Sequence, residues 1–121
     1  MNLNKPEPMP FREDGAREVW PLVWADIRSI ATPYPVRSEV LEDMAERDAE
    51  GWKQYGGPLV DCDTRSGLVD MYQELMDGAV YGKKAQMQGG LDDEQMLILA
   101  EVYYNLIQSA LAVRWIIEHK K

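Results

Sequence analysis

Apolar residues recur every three to four positions through four stretches of the chain. This period predicts amphipathic helices over residues 15–31, 36–54, 66–84 and 92–119. No stretch alternates apolar and polar residues for long enough to be a strand. The pattern therefore predicts an all-α fold, a helical bundle of three long helices with a shorter helix on the N-terminal side.

Proline and small polar residues mark where these helices are expected to begin. Pro21 lies inside the first apolar run, where it either opens the helix in its first turn or kinks it. Ser38 is a candidate N-cap for the second helix. The third helix has two candidate caps, Asp63 and Ser66. The last helix has acids at its start and His119 at its end, which suits the helix dipole.

Length and composition indicate one domain. A chain of 121 residues with 45% hydrophobic residues has room for one modest core, so we predict a single domain over 1–121. Residues 1–14 carry three prolines and no helical period, and we expect them to form an extended arm that docks through Phe11. Cys62 is the only cysteine, which excludes an internal disulfide and argues against a zinc site.

The charge balance argues against several classes of partner. Net charge is −8 at pH 7, and no cluster of Lys and Arg appears, so we expect no nucleic-acid partner. No apolar run reaches the roughly 20 residues that span a bilayer, so we expect no membrane partner. The N-terminus lacks the apolar core of a signal peptide, which predicts a cytoplasmic protein.

Two of the predicted helices carry their acids in a single stripe. At about 100° per residue, Asp70, Glu74 and Asp77 share one face of the third helix. The rest of that helix is apolar or small, so we expect it to be buried over most of its surface. The acids within about a quarter of the circumference of the second helix are Glu39, Glu42, Asp43, Glu46 and Glu50. We number the four predicted helices α1 to α4 in chain order and name these two sets the α3 acid stripe and the α2 acid stripe.

The two acid stripes have two interpretations. If the stripes face each other, their carboxylate oxygens surround one volume, which is the environment that Mg²⁺ prefers. Residues 66–82 contain no Lys or Arg that could offset the acids, which favours a metal as the counter-charge. The alternative is that both helices expose solvated acid faces, and spacing alone favours this alternative.

Pairs of acids three residues apart occur on both helices. Asp43 and Glu46 lie on the second helix, and Glu74 and Asp77 lie on the third, with 27 residues between the pairs. This arrangement resembles the ExxE, spacer, ExxD pattern of the all-α NTP pyrophosphohydrolase superfamily. The first position departs from the pattern because it is aspartate instead of glutamate, so nearby Glu42 is an alternative ligand, as is Glu39, three residues further towards the N-terminus.

A longer segment is similar to the MazG-like (MazZ-like) proteins of bacteriophages. Its pattern is D-xxx-R-xxx-G-xxx-YGxPL followed by DxYQExxDxxxY. The matching residues are Asp43, Arg47, Gly51, Tyr55, Gly56, Pro58, Leu59, Asp70, Tyr72, Gln73, Glu74, Asp77 and Tyr81. The resemblance covers roughly a third of the chain and leaves residues 1–35 and 90–121 unplaced.

The resemblance implies a reaction and a set of site residues. The reaction is hydrolysis of a nucleoside triphosphate, such as dGTP, GTP or another purine nucleotide, to the monophosphate and pyrophosphate. The implied cofactor is Mg²⁺, which Mn²⁺ can replace. Glu46 or Glu42 would orient or deprotonate the attacking water. The implied metal ligands are Asp43, Glu46, Glu74, Asp77 and Asp70; which of Glu42, Asp43 and Glu46 is ligand and which is base stays open.

Basic and aromatic residues near the acid stripes are candidates for binding the substrate. The candidates for the triphosphate are Lys53, Arg65, Lys83 and Lys84. The candidates for stacking on the base are Trp52, Tyr55, Tyr72 and Tyr81. For each side chain the alternative is an ordinary solvated or packed role.

The apolar surface of the predicted helices exceeds what four short helices bury comfortably. We therefore expect a homodimer or a homotetramer, acting in the host cytoplasm if a phage encodes the chain. The rival function is a catalytically inactive nucleotide- or metal-binding module, or a helical protein-interaction module.

Overall fold

The computed structural model of the chain describes residues 3–4, 15–61 and 65–121. The described helices are α1 (Trp20–Ser29), α2 (Arg37–Tyr55), α3 (Gly67–Gln88) and α4 (Asp93–His119). The described ranges contain no strand, and one isolated antiparallel bridge pairs Glu18 with Val60. The prediction of an all-α chain with one short and three long helices is confirmed.

Backbone chemistry explains the ends of α1 and α2. Pro21 lies in the first turn of α1, so the helix opens at Trp20 and does not extend back to residue 15. α2 ends where Gly56 adopts a left-handed conformation with φ of +75°. The prediction that Ser38 caps α2 is wrong, because the helix already begins one residue earlier and places Ser38 inside its first turn.

Polar residues at the starts of the predicted third and fourth helices cap α3 and α4. Ser66 is the N-cap of α3, and its hydroxyl accepts a hydrogen bond from the Val69 amide at 3.3 Å. The alternative cap, Asp63, lies outside the described residues. Asp92 caps α4 in a reciprocal capping box with Gln95, with N–O distances of 2.8 and 3.1 Å. α3 also runs one turn beyond its predicted end, to Gln88.

Contacts between residues divide the chain into two compact units, of which one spans Glu7–Arg65 and holds α1 and α2. Within it, the Arg37 guanidinium donates hydrogen bonds to the carbonyl oxygens of Ile27 and Ile30. These bonds satisfy carbonyls at the end of α1 and tie it to the start of α2. The prediction of a single domain over 1–121 stays a prediction.

The other unit holds α3 and α4, and the described N-terminal residues Leu3 and Asn4 belong to it. Leu3 is buried in a cluster with Val113 and Ile117 of α4. Its carbonyl oxygen accepts a hydrogen bond from the Gln73 side-chain amide at 2.8 Å. Leu3 therefore docks on this unit; Phe11, the predicted docking residue, lies outside the described residues.

The prediction that α3 is buried over most of its surface is wrong for the single chain. Gly82 is its only buried residue, and Val80 and Tyr81 are exposed. α3 packs on α4 along one side, where a Cβ at Gly78 would lie 3.5 Å from the Leu106 side chain. The remaining apolar surface of α3 faces outward because α4 covers only that side.

α4 is the most apolar helix of the described chain. By length and composition alone, this helix of 27 residues is long and apolar enough to cross a membrane. The expectation that no stretch reaches this limit is therefore wrong for α4. In this structure one side of α4 packs on α3, through residues such as Leu106.

Replacing Gly51 by alanine will raise the free energy of unfolding by about 0.5–1 kcal/mol, because glycine in a helix interior is less favourable than alanine. Gly51 lies within α2, and no atom lies within 4 Å of the Cβ that alanine would add. Urea denaturation followed by circular dichroism measures the change. A loss of stability would show that the space beside Gly51 is filled in the folded protein.

Candidate metal and nucleotide site

The α2 acid stripe lies on an exposed surface. All five of its carboxylates are exposed. Asp43, Glu46 and Glu50 border a shallow concavity of about 420 Å³, together with Arg47. The predicted first pair, Asp43 and Glu46, therefore shares one open surface that a small ligand can reach.

Asp48 differs from the other acids of α2. One of its carboxylate oxygens, Oδ1, is buried and has no hydrogen-bond partner among the described residues. The indole nitrogen of Trp24 is likewise buried and has no hydrogen-bond partner among the described residues. A buried polar atom without a partner costs about 1–3 kcal/mol unless water bridges it. At 100° per residue Asp48 lies opposite Glu39, so it belongs to the inner side of α2 and not to the stripe.

The α3 acid stripe lies on the side of α3 that does not pack on α4. Glu74 and Asp77 are exposed, whereas Asp70 is half-buried. Tyr81 and Lys84 are also exposed, at positions that continue the stripe towards the end of the helix. This side of α3 therefore presents two carboxylates, a phenol and an ammonium group to solvent.

The four carboxylates of the predicted ligand pairs have no basic partner in the part of the chain that the structure describes. The ion pairs between described residues are Arg17–Asp61 at 2.8 Å, Lys53–Glu50 at 3.7 Å and Arg114–Glu118 at 2.7 Å. Asp43, Glu46, Glu74 and Asp77 take part in none of them. Their oxygens are therefore available to an external cation.

The donor set of each pair suits Mg²⁺. Among the described residues no three His, Cys, Asp or Glu side chains come together as a group that could hold a metal ion. Mg²⁺ nevertheless binds through one or two carboxylates together with substrate phosphates and waters, and seldom in a cage made only of protein groups. Asp43 with Glu46, or Glu74 with Asp77, supplies that number of carboxylates.

The predicted substrate-binding residues are distributed over both units. Those with exposed side chains are Trp52, Lys53, Tyr81, Lys83 and Lys84, whereas Tyr55 and Arg65 are half-buried. Tyr72 packs against the cluster of Leu3, Val113 and Ile117, so it serves the core of its unit. The exposed residues therefore remain the candidates for binding the substrate.

A groove between α3 and α4 was missed by the sequence analysis. Its volume is about 630 Å³, and its lining residues include Val80, Lys84, Met87 and Tyr103. The ammonium group of Lys83 lies 4.9 Å from the centre of the Tyr103 ring, in a cation–π contact. Helical periodicity could not reveal this groove, because it depends on which side of α4 meets α3.

Arg114 and Glu118 form an ion pair on α4, with 2.7 Å between Nε and Oε1, that shifts the pKa of both groups. The hydrogen bond and charge of Arg114 hold the pKa of the Glu118 carboxyl below its ordinary value. The same contact raises the pKa of Arg114. The stabilisation from Glu118 is therefore present above the ordinary carboxyl pKa and is lost as the pH falls through the lowered value. This pair lies outside both acid stripes.

Comparison of the chain with protein-family profiles, with curated proteins and with solved structures finds no match. The resemblance to the all-α NTP pyrophosphohydrolases therefore rests on the motif residues of α2, the loop after it and α3.

Proposed function

We propose that the protein is a Mg²⁺-dependent nucleoside triphosphate pyrophosphohydrolase of the MazG-like type. The observation that carries the proposal is that Asp43, Glu46, Glu74 and Asp77 are exposed and form no ion pair within the described chain. These four residues occupy the two acid pairs of the superfamily pattern, with aspartate instead of glutamate at the first position. Acids of this spacing also occur on solvated helix faces, so the resemblance of the whole segment to the superfamily pattern is what favours a metal site.

The chemistry divides into a metal role and a water role. Bound Mg²⁺ would neutralise charge on the phosphoryl oxygens, and Mn²⁺ would replace it. Glu74 and Asp77 are its proposed ligands on α3, with Asp70 as a further ligand, and Asp43 and Glu46 on α2. Glu46 or Glu42, both exposed, would accept a proton from the water that attacks the triphosphate.

Exposed cations and rings support the substrate assignment. Lys53 and Lys84 lie at the C-terminal parts of α2 and α3, where their ammonium groups can bind triphosphate oxygens. Trp52 and Tyr81 are exposed rings in the same parts of these helices and can stack on a base. Purine triphosphates such as dGTP and GTP are the proposed substrates, since a larger base offers more stacking area.

The location and assembly complete the proposal. We place the enzyme in the cytoplasm, that of the host if a phage encodes it, where it would control a nucleotide pool. The many exposed apolar side chains of α3 and α4 support a homodimer or homotetramer. The same exposed apolar surface favours the second candidate function, a helical protein-interaction module without catalysis.

Adding Mn²⁺ or Mg²⁺ will raise the thermal unfolding midpoint, because an ion that binds only the folded chain stabilises it. At a free concentration of 100 times the dissociation constant the gain is about 2.7 kcal/mol, or roughly 10 °C for a chain of this size. Scanning calorimetry at several ion concentrations measures the shift.

A matched variant separates a specific site from general screening of the acidic surface. The double substitution Glu74→Gln and Asp77→Asn should abolish the shift, whereas Glu94→Gln with Asp93→Asn removes as much charge from α4 and should leave it unchanged. A shift of equal size in all three proteins would mean that the ions act only by screening.

A further inference from the structure

The groove between α3 and α4 has the volume of a ligand site. Its volume of about 630 Å³ lies within the range of roughly 300–1,000 Å³ that small-molecule sites occupy. α3 lines the groove from Ala79 to Gln88, and α4 contributes Tyr103. At about 1.5 Å of rise per residue, the lined part of α3 is about 14 Å long. The groove can therefore hold an extended molecule of that length.

Most of the groove wall is apolar. Ala79, Val80 and Met87 line it from α3, and Val80 and Met87 are 67% and 80% exposed. On the opposite wall, Tyr103 packs where α4 meets α3, since a Cβ at Gly82 would lie 3.8 Å from the Tyr103 Cβ. The Met87 side chain is unbranched and adapts its shape to an apolar ligand. A hydrocarbon chain in the groove would remove these apolar surfaces from water, which is favourable.

The charge of the groove is opposite to that of the chain. Net charge is −8, yet the described residues that line the groove include Lys83 and Lys84 and no acid. Neither lysine belongs to an ion pair between described residues. The Lys83 ammonium group lies 4.9 Å from the centre of the Tyr103 ring, at the wall of the groove. The sequence between Asp77 and Asp92 contains no other acid that could offset these two positive charges.

An apolar wall with two ammonium groups suits an organic anion that has an apolar body. The ammonium groups of Lys83 and Lys84 would bind a carboxylate through charge-assisted hydrogen bonds. The apolar wall would cover an alkyl chain. Three bonds of an extended chain span about 3.6 Å, so an alkyl chain of up to about ten carbon atoms fits within 14 Å.

We propose that the groove binds a medium-chain alkyl carboxylate, with its head group on Lys83 and Lys84 and its chain against Val80 and Met87. This site goes beyond the proposed hydrolysis, because binding requires neither a metal ion nor a nucleotide. Lys84 is the one residue that it shares with the proposed triphosphate contacts. Its test measures binding without metal or nucleotide, so it can fail while the proposed activity stands, and the reverse.

A nucleotide suits the groove less well. The hydrogen-bonding groups of a base placed against Ala79, Val80 and Met87 would lose water and gain no partner, which costs free energy. An alkyl chain has no such groups. A neutral alkyl ligand would leave the two ammonium groups unused. The test therefore separates the carboxylate from both alternatives.

Isothermal titration calorimetry of the full chain with octanoate tests the site. Octanoate should bind with one molecule per chain. Octanol keeps the alkyl chain but lacks the charge, and it should bind about tenfold or more weakly, the loss expected for a hydrogen bond to a charged group. Butyrate keeps the charge but lacks four methylene groups, and it should also bind about tenfold or more weakly.

Matched variants locate the site. Met87→Glu places a negative charge in the groove and should weaken octanoate binding about tenfold or more. Met71→Glu makes the same change at an exposed methionine of α3 that does not line the groove, and it should leave the dissociation constant unchanged. Lys83→Gln with Lys84→Gln should lower the affinity for octanoate to that for octanol. Circular dichroism should show equal helix content in all of these chains, since each replaced side chain is exposed.

Three results would overturn the proposal. The first is equal affinity for octanoate and octanol, or no binding of either. The second is an equal loss of octanoate binding in Met87→Glu and Met71→Glu. The third is metal-free binding of dGTP that is tighter than that of octanoate and is weakened by Met87→Glu alone, which would assign the groove to a nucleotide.

Discussion

Replacing Glu74 by glutamine will lower the rate of pyrophosphate release by about 100-fold or more. The amide keeps the shape of the side chain but removes the charge that would hold the proposed metal ion. Loss of several kcal/mol of charge stabilisation in the transition state corresponds to a fall of this size. Steady-state kinetics at saturating Mg²⁺ and nucleotide measures the change. Because Glu74 is exposed, the helix content and thermal midpoint of the metal-free protein should stay the same.

Glu94→Gln provides the matched control for this prediction. Glu94 is also an exposed acid in a helix, but it lies in the first turn of α4, outside both acid stripes. Its rate of pyrophosphate release should equal that of the wild-type protein. Equal activity of Glu74→Gln and Glu94→Gln would remove Glu74 from the proposed metal site.

Replacing Ile117 by alanine will lower the free energy of unfolding of the α3–α4 unit by about 2–4 kcal/mol. Ile117 is one of the few buried side chains of the described chain and lies in a cluster with Leu3 and Val113. Removing three of its carbon atoms leaves a cavity that the surrounding side chains cannot fill. Chemical denaturation followed by circular dichroism measures the loss.

Ile116→Ala is the control, because it deletes the same atoms one residue away. Ile116 is exposed, so the change should alter the free energy of unfolding by less than about 1 kcal/mol. If both variants lose the same stability, the cluster around Leu3 is not the core of this unit.

The sequence predicted the helices well where local chemistry decides their ends. Ser66 and Asp92 cap α3 and α4 as their hydroxyl and carboxylate chemistry requires, and Gly56 ends α2. Ser38 failed as a cap because Arg37 joins the helix, its guanidinium being bound to carbonyls of α1. That contact joins Arg37 to residues ten and seven positions earlier, so no periodic pattern in the sequence predicts it.

The sequence also predicted which acids of the candidate site share a helix face. Helical spacing placed Glu74 and Asp77 on one side of α3 and the five acids of the α2 acid stripe on one side of α2, but it left open whether they face solvent; in the structure these residues are exposed. It could not reveal the docking of Leu3, because a single apolar residue in a proline-rich segment carries no pattern. It also did not reveal the groove between α3 and α4, because that groove depends on which side of α4 meets α3.

The proposed activity is tested most directly by the products of nucleotide hydrolysis. The protein is incubated with each of the eight common ribo- and deoxyribonucleoside triphosphates in Mg²⁺ or Mn²⁺, and monophosphate and pyrophosphate are quantified. The proposal predicts equal amounts of both products from at least one nucleotide, with loss of both on chelation of the metal. Absence of pyrophosphate from all eight nucleotides with either metal would contradict it, and so would release of diphosphate and inorganic phosphate instead.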